Sequence, residues 1–100
     1  MPFEITDSTV VEVAENQVSG ELVDGEIAIL NLNDGVYYGL NAVGGRVWRL
    51  IQKRETVKGV MDTLLDEFDV EPERCRTEVI ALLTTLAERN LVKINGDFAG

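Results

Sequence analysis

The sequence predicts an α+β domain in which three helices pack on a small three-stranded antiparallel sheet. Two observations carry this prediction. Glycine turns separate short β-branched runs in the first forty residues, and apolar residues recur at helical spacing from residue 42 onward. A chain of 100 residues is long enough for one domain with one thin core. We expect a single domain over residues 1–100, with an ordered core over about residues 8–94.

The first half of the chain is predicted to form an antiparallel meander. A valine-rich run lies at residues 10–13, Leu22 and Val23 lead into the turn signal Asp24-Gly25, and an apolar run follows at 26–32. A second turn signal at residues 33–35 leads into a run at 36–40. The run 26–32 is apolar on both faces, so we expect it to be the central strand, covered on both sides.

Three helices are predicted to follow the meander. The first spans about residues 42–53, the second begins after Thr56, and the third runs for about 17 residues from Pro72. A short strand at 91–94 completes an order close to that of a winged helix. The expected cap and stop residues are Asn41, Thr56, Glu71 and Asn90. The expected inward stripe of the third helix is Cys75, Val79, Leu82, Leu83 and Leu86.

Composition excludes several classes of function. The chain has 18 acidic and 9 basic residues, a net charge of −9, which argues against nucleic-acid and anionic-membrane partners. Histidine is absent and Cys75 is the single cysteine, so we assign no catalytic residue, no metal ligand and no cofactor, and expect no disulfide. The sequence shows neither a signal segment nor a membrane span, and we expect a cytoplasmic protein.

Charge is distributed in blocks. Residues 46–58 contain five basic residues against one acid, whereas residues 59–73 contain six acids and no base. The basic block is interpreted either as the solvated face of a helix or as a docking patch for an acidic partner. The acidic block lacks the spacing of an EF-hand loop and is interpreted as a solvated helix face.

The run at 35–40 is predicted to form an unprotected sheet edge. It carries neither proline nor lysine, which natural edge strands use to prevent further pairing. Such an edge accepts a partner strand by β-augmentation. Tyr37 and Tyr38 must point to opposite faces, and we place Tyr38 in the core. Gly44-Gly45 is expected to let the first helix approach the sheet closely.

Residues 33–51 read NDGVYYGLNAVGGRVWRLI, which resembles the signature of the PqqD family. In that family a G-x-Y-x-x-LN-x-x-G-x-x-[IV]-W-x-L run joins the last strand to the first helix. Residues 68–71 and 78–92 also resemble the family, and the similarity covers about residues 8–94.

The resemblance implies a non-catalytic peptide chaperone. Members of the family hold the leader segment of a ribosomally made precursor peptide as an added strand, between the third strand and the third helix, and present it to a modifying enzyme. Carried over by position, the strand wall would be Val36, Tyr37, Tyr38 and Gly39. The helix wall would be Arg74, Glu78 and Leu82.

Several alternatives remain open. The family has two branches. One consists of stand-alone lasso-peptide proteins that pair with a leader peptidase and a cyclase, and the other serves pyrroloquinoline quinone synthesis beside a radical-SAM enzyme. The sequences of residues 37–41 and 70–73 look more like the lasso-peptide branch. The acidic N-terminal half favours a neutral or basic leader. Two alternatives belong to other classes of function. The open edge also permits a homodimer, in which dimerisation is the function. A winged-helix DNA binder is disfavoured because Glu71, Glu73 and Glu78 offset the arginines of the third helix.

Overall fold

The computed structural model describes residues 5–97, and within this part the chain forms six strands and three helices. The α+β prediction is confirmed, but the strands form two antiparallel sheets of three, β5-β1-β6 and β2-β3-β4. The elements in chain order are β1 (Thr9–Val13), β2 (Gln17–Glu21), β3 (Ile27–Asn31), β4 (Tyr37–Leu40), α1 (Ala42–Leu50), β5 (Glu55–Thr56), α2 (Val57–Glu67), α3 (Pro72–Glu88) and β6 (Val92–Asp97).

The predicted single meander is wrong in its first part. The valine-rich run forms β1, which pairs with the helical half of the chain, Val10 opposite Thr56 and Val13 opposite Val92. The meander instead begins with the polar strand β2. β1 and β2 belong to different sheets for a physical reason. The valines of β1 are apolar and are buried among the helices, whereas β2 is polar and is held by its hydrogen-bonded ladder to β3.

Both predicted turns are confirmed. Asp24 and Gly25 have φ of 59° and 81°, and Glu26 N donates to Val23 O at 3.2 Å, so the β2–β3 hairpin contains a turn with two positive φ angles. Gly35 has φ of 71° between β3 and β4. These turns place β4 at one edge of the β2-β3-β4 sheet.

The expectation that β3 is covered on both faces is wrong. Ile27, Ile29 and Asn31 are buried, but Ala28 and Leu30 are only partly buried and Leu32 is 56% exposed. Within residues 5–97 the helices pack on the Ile27 and Ile29 side. We call this side of the β2-β3-β4 sheet the inner face and the opposite side the outer face.

The helices begin where their caps predict. Asn41 Oδ1 accepts from Gly44 N at 2.8 Å and Thr56 Oγ1 accepts from Gly59 N at 3.0 Å. The prediction for α1 is too long by three residues, because the chain turns into β5. Glu71 occupies the N-cap position of α3 without a side-chain capping bond, and Asn90 ends the helix at φ 61°.

Contacts of the described residues extend beyond the expected core of residues 8–94 at both ends. Ile5 packs on the core, Asp7 pairs with Arg76, and the carbonyl of Asp7 accepts from Lys58 N at 2.9 Å. Strand β6 continues to Asp97. Residues 1–4 and 98–100 lie outside the described residues, so the expectation about the full span 1–100 stays a prediction. None of the helices described combines the length and apolar composition needed to cross a membrane.

Helix α1 joins the helical half to the meander. Trp48 is only 2% exposed, and its indole Nε1 donates to Ser19 Oγ in β2 at 3.0 Å. Gly45 faces the β2–β3 turn so closely that a Cβ there would collide with the carbonyl oxygen of Gly25. The predicted close approach at the glycine pair is therefore confirmed, and it holds α1 beside β4.

Candidate peptide-binding groove

A groove of about 330 Å³ runs between β4 and α3. Helix α1 forms its floor, and the end of α2 with the segment that follows closes one end. Its lining is mainly apolar, with Arg74 and Glu78 as the ionisable side chains of α3 that line it beside Cys75. The lining residues are Tyr38, Gly39, Leu40, Asn41, Val43, Gly44, Val47, Leu64, Phe68, Val70, Arg74, Cys75, Glu78, Val79 and Leu82.

The β4 wall presents free backbone groups. Asn31 N donates to Val36 O at 3.0 Å, and antiparallel ladders alternate between hydrogen-bonded and non-hydrogen-bonded pairs. In the register Ile29–Tyr38 and Ile27–Leu40, residues 38 and 40 therefore bond to β3. The N–H and C=O groups of Tyr37 and Gly39 face the free edge, where an added strand would pair.

Five of the seven side-chain positions named from the sequence line the groove: Tyr38, Gly39, Arg74, Glu78 and Leu82. The side chains of the other two do not. Tyr37 lies on the outer face and is 69% exposed, and Val36 is exposed just before β4. The contribution of Tyr37 to the groove edge is thus its backbone, because alternation along β4 turns its ring away from the helices.

The α3 wall is charged at its mouth and apolar at its base. Arg74 Nε pairs with Glu78 Oε2 at 2.9 Å, with both side chains exposed, and this contact raises the pKa of Arg74. Leu82 is half-buried one turn further along. Cys75 lies deeper, and burial followed by the nearby Glu78 carboxylate raises the pKa of its thiol, so it packs as a neutral thiol.

Three further apolar residues that line the groove were not predicted from the sequence as part of the site. Val43 in the first turn of α1, Phe68 after α2 and Val70 before α3 all line the groove. Val43 and Val70 remain partly exposed although they are apolar. A signal was available: both valines lie within two residues of a predicted cap, and neither belongs to a predicted inward stripe of a helix.

Tyr38 of the β4 wall contacts Arg89, the residue that caps the end of α3. The guanidinium carbon of Arg89 lies 5.3 Å from the centroid of the Tyr38 ring, within the range of a cation–π contact. Tyr38 therefore contacts the end of α3 while its ring lines the groove. This contact fastens the two walls to each other at one end.

The basic block 46–58 is largely neutralised by ion pairs. Four of its five bases have an acidic partner, at distances of 2.7–3.8 Å. The pairs are Arg46–Glu67, Arg49–Glu21, Arg54–Glu12 and Lys58–Asp62. This favours the interpretation as a solvated, internally paired face over a docking patch for an acidic partner.

The described residues bring together no cluster of three acidic or cysteine side chains that would hold a metal ion. The groove therefore offers hydrogen-bonding backbone, apolar contact area and one charge pair, which are the means of binding an extended peptide.

Comparison with protein families identifies the chain. The family model described as coenzyme PQQ synthesis protein D (PqqD) matches residues 26–92. The chain belongs to the PqqD family. The match covers β3, β4 and all three helices, and so includes both walls of the groove.

This PqqD-family chain is also similar to solved structures. One is TbiB1 in complex with the TbiA(beta) leader peptide, 28% identical, with a TM-score of 0.75 over 82% of this chain and 94% of that chain. Another is a lasso peptide synthetase B1 complexed with the leader peptide, 19% identical, with a TM-score of 0.73 over 83% of this chain and 96% of that chain. No curated protein sequence matches the chain.

Proposed function

We propose that this chain is a non-catalytic recognition protein that binds the leader segment of a ribosomally made precursor peptide. The leader adds as a strand to β4, packs against α3, and is presented to a modifying enzyme. The observation that carries the proposal is the groove itself: an unpaired strand edge lies beside an apolar channel of about 330 Å³ whose second wall is a helix.

The two parts of the site supply different components of recognition. Backbone groups of Tyr37 and Gly39 give the added strand its register without reading its sequence. Side chains of that strand alternate, so every second one enters the channel lined by Val43, Val70 and Leu82. The proposed leader therefore carries apolar residues at alternate positions.

The TbiB1 complex supports the proposal from outside the chain. That protein is solved with a leader peptide, and the present chain covers 94% of it at 28% identity. The sequences of residues 37–41 and 70–73 resemble the lasso-peptide branch, and we therefore propose a leader peptidase as the partner enzyme. A radical-SAM enzyme of pyrroloquinoline quinone synthesis is the alternative partner, because the family description names that pathway.

Amide hydrogen exchange tests strand addition at single residues. The probe is the leader peptide encoded beside the gene for this chain, with a scrambled peptide of the same composition as control. Without leader, the amides of Tyr37 and Gly39 should exchange quickly and those of Tyr38 and Leu40 slowly. With leader, Tyr37 and Gly39 should become protected, and shifts of backbone signals should spread to residues 71–86.

The proposal fails if the cognate leader leaves the amides of Tyr37 and Gly39 unprotected. Protection at these amides that appears with increasing protein concentration alone would indicate that β4 pairs with a second copy of the chain. That outcome would favour the dimerisation alternative, which uses the same edge.

A DNA-binding function has no comparable support. Both arginines near the start of α3 are in ion pairs, Arg74 with Glu78 and Arg76 with Asp7. A recognition helix whose cations are already neutralised, on a chain with net charge −9, has little positive charge with which to displace the counterions of DNA.

A further inference from the structure

In the part of the chain that the structure describes, exposed large apolar side chains are confined to two places. Within residues 5–97, eight large apolar side chains are exposed, and two of them, Val43 and Val70, line the groove. The other six belong to the β2-β3-β4 sheet and its turns. They are Val18, Leu22, Val23, Leu32, Val36 and Tyr37.

The ladder register arranges part of this set as a continuous surface on the outer face. Val18, Leu30 and Tyr37 lie side by side in one row across the three strands. The adjacent row consists of Gly20, Ala28 and Gly39, whose small size leaves the backbone accessible. An apolar row beside a shallow row forms a flat surface, which suits contact with a folded protein rather than with a small ligand.

Acidic side chains flank this surface at both ends of the strands. Glu15 and Asp34 lie in loops at one end, and Asp24 and Glu26 lie in the turn at the other, all four exposed. None of the four is in an ion pair within the described part of the chain. Residues 5–45 contain no lysine or arginine.

We propose that the outer face of the β2-β3-β4 sheet docks the modifying enzyme, through an apolar patch of that enzyme framed by lysine or arginine residues. This inference rests on the proposed function for the identity of the partner. The charge of this surface favours a basic partner. A second copy of this chain would place acidic side chains opposite acidic side chains, and an anionic membrane would be repelled. A partner with a basic frame gains both apolar contact and electrostatic attraction.

The outer face and the groove are separate surfaces. The groove lies on the helix side of β4, whereas Val18 and Leu32 lie on or beside strands away from that edge. Leader and enzyme therefore occupy the chain at the same time, which presentation of a bound peptide requires. The paired basic block does not compete as a docking site, because its charges are already used within the chain.

The test measures binding of the purified modifying enzyme encoded beside the gene for this chain, with and without leader peptide. The apolar variant is Val18→Ser with Leu32→Ser, whose side chains are 53% and 56% exposed and contribute little to the core. We expect enzyme affinity to fall at least about tenfold while leader affinity stays within about twofold. Val43→Asp, in the groove, should show the reverse pattern.

A second variant examines the charge frame. Asp24→Lys with Glu26→Lys should weaken enzyme binding at low salt by several fold, and the difference from the unmodified chain should shrink as salt rises. The proposal is overturned if the enzyme does not bind the unmodified chain, or if both variants bind it normally. It is also overturned if sedimentation shows a dimer that Val18→Ser with Leu32→Ser dissociates. If the unmodified chain does not bind the leader, the proposed function is overturned instead.

Discussion

The side-chain amide of Asn31 in β3 donates a hydrogen bond of 2.9 Å to the backbone carbonyl of Arg89 at the end of α3. The Oδ1 atom of the same amide accepts from Asn33 N at 2.8 Å. Asn31 is thus a buried polar side chain whose amide donor and acceptor are both hydrogen-bonded. It connects the β3–β4 turn to the end of the helix that forms the other wall of the groove. Together with the contact of Arg89 on Tyr38, it sets the spacing between the walls.

Replacing Asn31 by leucine should destabilise the chain by about 1–3 kcal/mol, because the carbonyl of Arg89 loses its donor and the turn loses its acceptor. Leader affinity should fall as well, since the two walls lose one of the two contacts that connect them at this end. Chemical denaturation and peptide titration measure the two effects. Asn33→Ala is the matched control in the same exposed turn, and an equal loss there would contradict the role assigned to Asn31.

A carboxylate placed in the groove should block the leader without harming the fold. Val43→Asp puts a charge into the apolar channel, yet an acid in the first turn of α1 is favourable for the helix. We expect leader affinity to fall at least about tenfold by calorimetry. Ala42→Asp adds the same charge one residue earlier, outside the groove lining, and should bind the leader normally. Equal affinities for the two variants would place the leader elsewhere.

Proline at Gly39 should prevent strand addition while leaving the β3–β4 ladder intact. The N–H of Gly39 faces the free edge and a Cβ at this position meets no neighbouring atom within 4 Å, so the substitution removes one donor for the leader. Leader affinity should fall several fold with little change in the unfolding midpoint. Gln17→Pro, at the opposite edge of the same sheet, should keep full affinity. A Gly39→Pro variant that binds normally would argue against β-augmentation at β4.

The glycine pair of α1 should respond unequally to alanine. Gly45→Ala would drive a Cβ into the carbonyl of Gly25, and overpacking of this kind costs about 1–3 kcal/mol. A Cβ at Gly44 comes no closer than 3.4 Å to Asn41 Oδ1 and Leu40, so Gly44→Ala should be close to neutral. Denaturation of both variants measures the difference. Similar stabilities would mean that α1 does not need its close approach to the turn.

The ion pair between Arg46 and Glu67 should contribute to stability only above acidic pH. The hydrogen bond from Arg46 holds the pKa of Glu67 below its ordinary value of 4.5. A carboxylate with a lowered folded pKa stabilises the fold at pH above that ordinary value, and the contribution is lost as pH falls through the folded pKa. Glu67→Gln should therefore be slightly less stable than the unmodified chain at about pH 7.

The control is the same comparison of stabilities, Glu67→Gln against the unmodified chain, measured at acidic pH. At pH values below the lowered pKa of folded Glu67, the carboxyl is protonated in both folded and unfolded chains, and the stability difference between Glu67→Gln and the unmodified chain should vanish. The effect is small because both side chains are partly exposed to water. A difference that persists unchanged into strong acid would assign it to packing rather than to the ion pair.

Local signals in the sequence were sufficient for most of the elements. Positive φ at Gly25 and Gly35, the caps at Asn41 and Thr56, and the start of α3 at Pro72 all follow from chemistry within a few residues. The α3 wall of the groove was predicted by carrying positions over from the family resemblance, and helical spacing alone did not say which flank of the helix faces the groove. The family signature also lies within one continuous stretch, residues 33–51.

Long-range pairing was decided by the tertiary structure alone. Nothing near residues 10–13 indicates that β1 pairs with β6 about eighty residues later, or that the polar strand β2 completes the meander. The floor of the groove at Val43 and its end at Phe68 and Val70 likewise depend on how three helices meet.

The sequence by itself determined the three helices and their starts, the central and last strands of the meander, both glycine turns, and that one strand edge is left unprotected. Those properties depend on backbone preferences and on side chains three or four positions apart. Alternation along β4 placed Tyr38 on the core side and Tyr37 opposite, but the tertiary structure decided that the helices leave the outer face of the sheet open, so that Tyr37 lies on an exposed apolar surface while Tyr38 lines a groove. That choice depends on the packing of Ile27 and Ile29 against helices distant in sequence, which no local pattern contains.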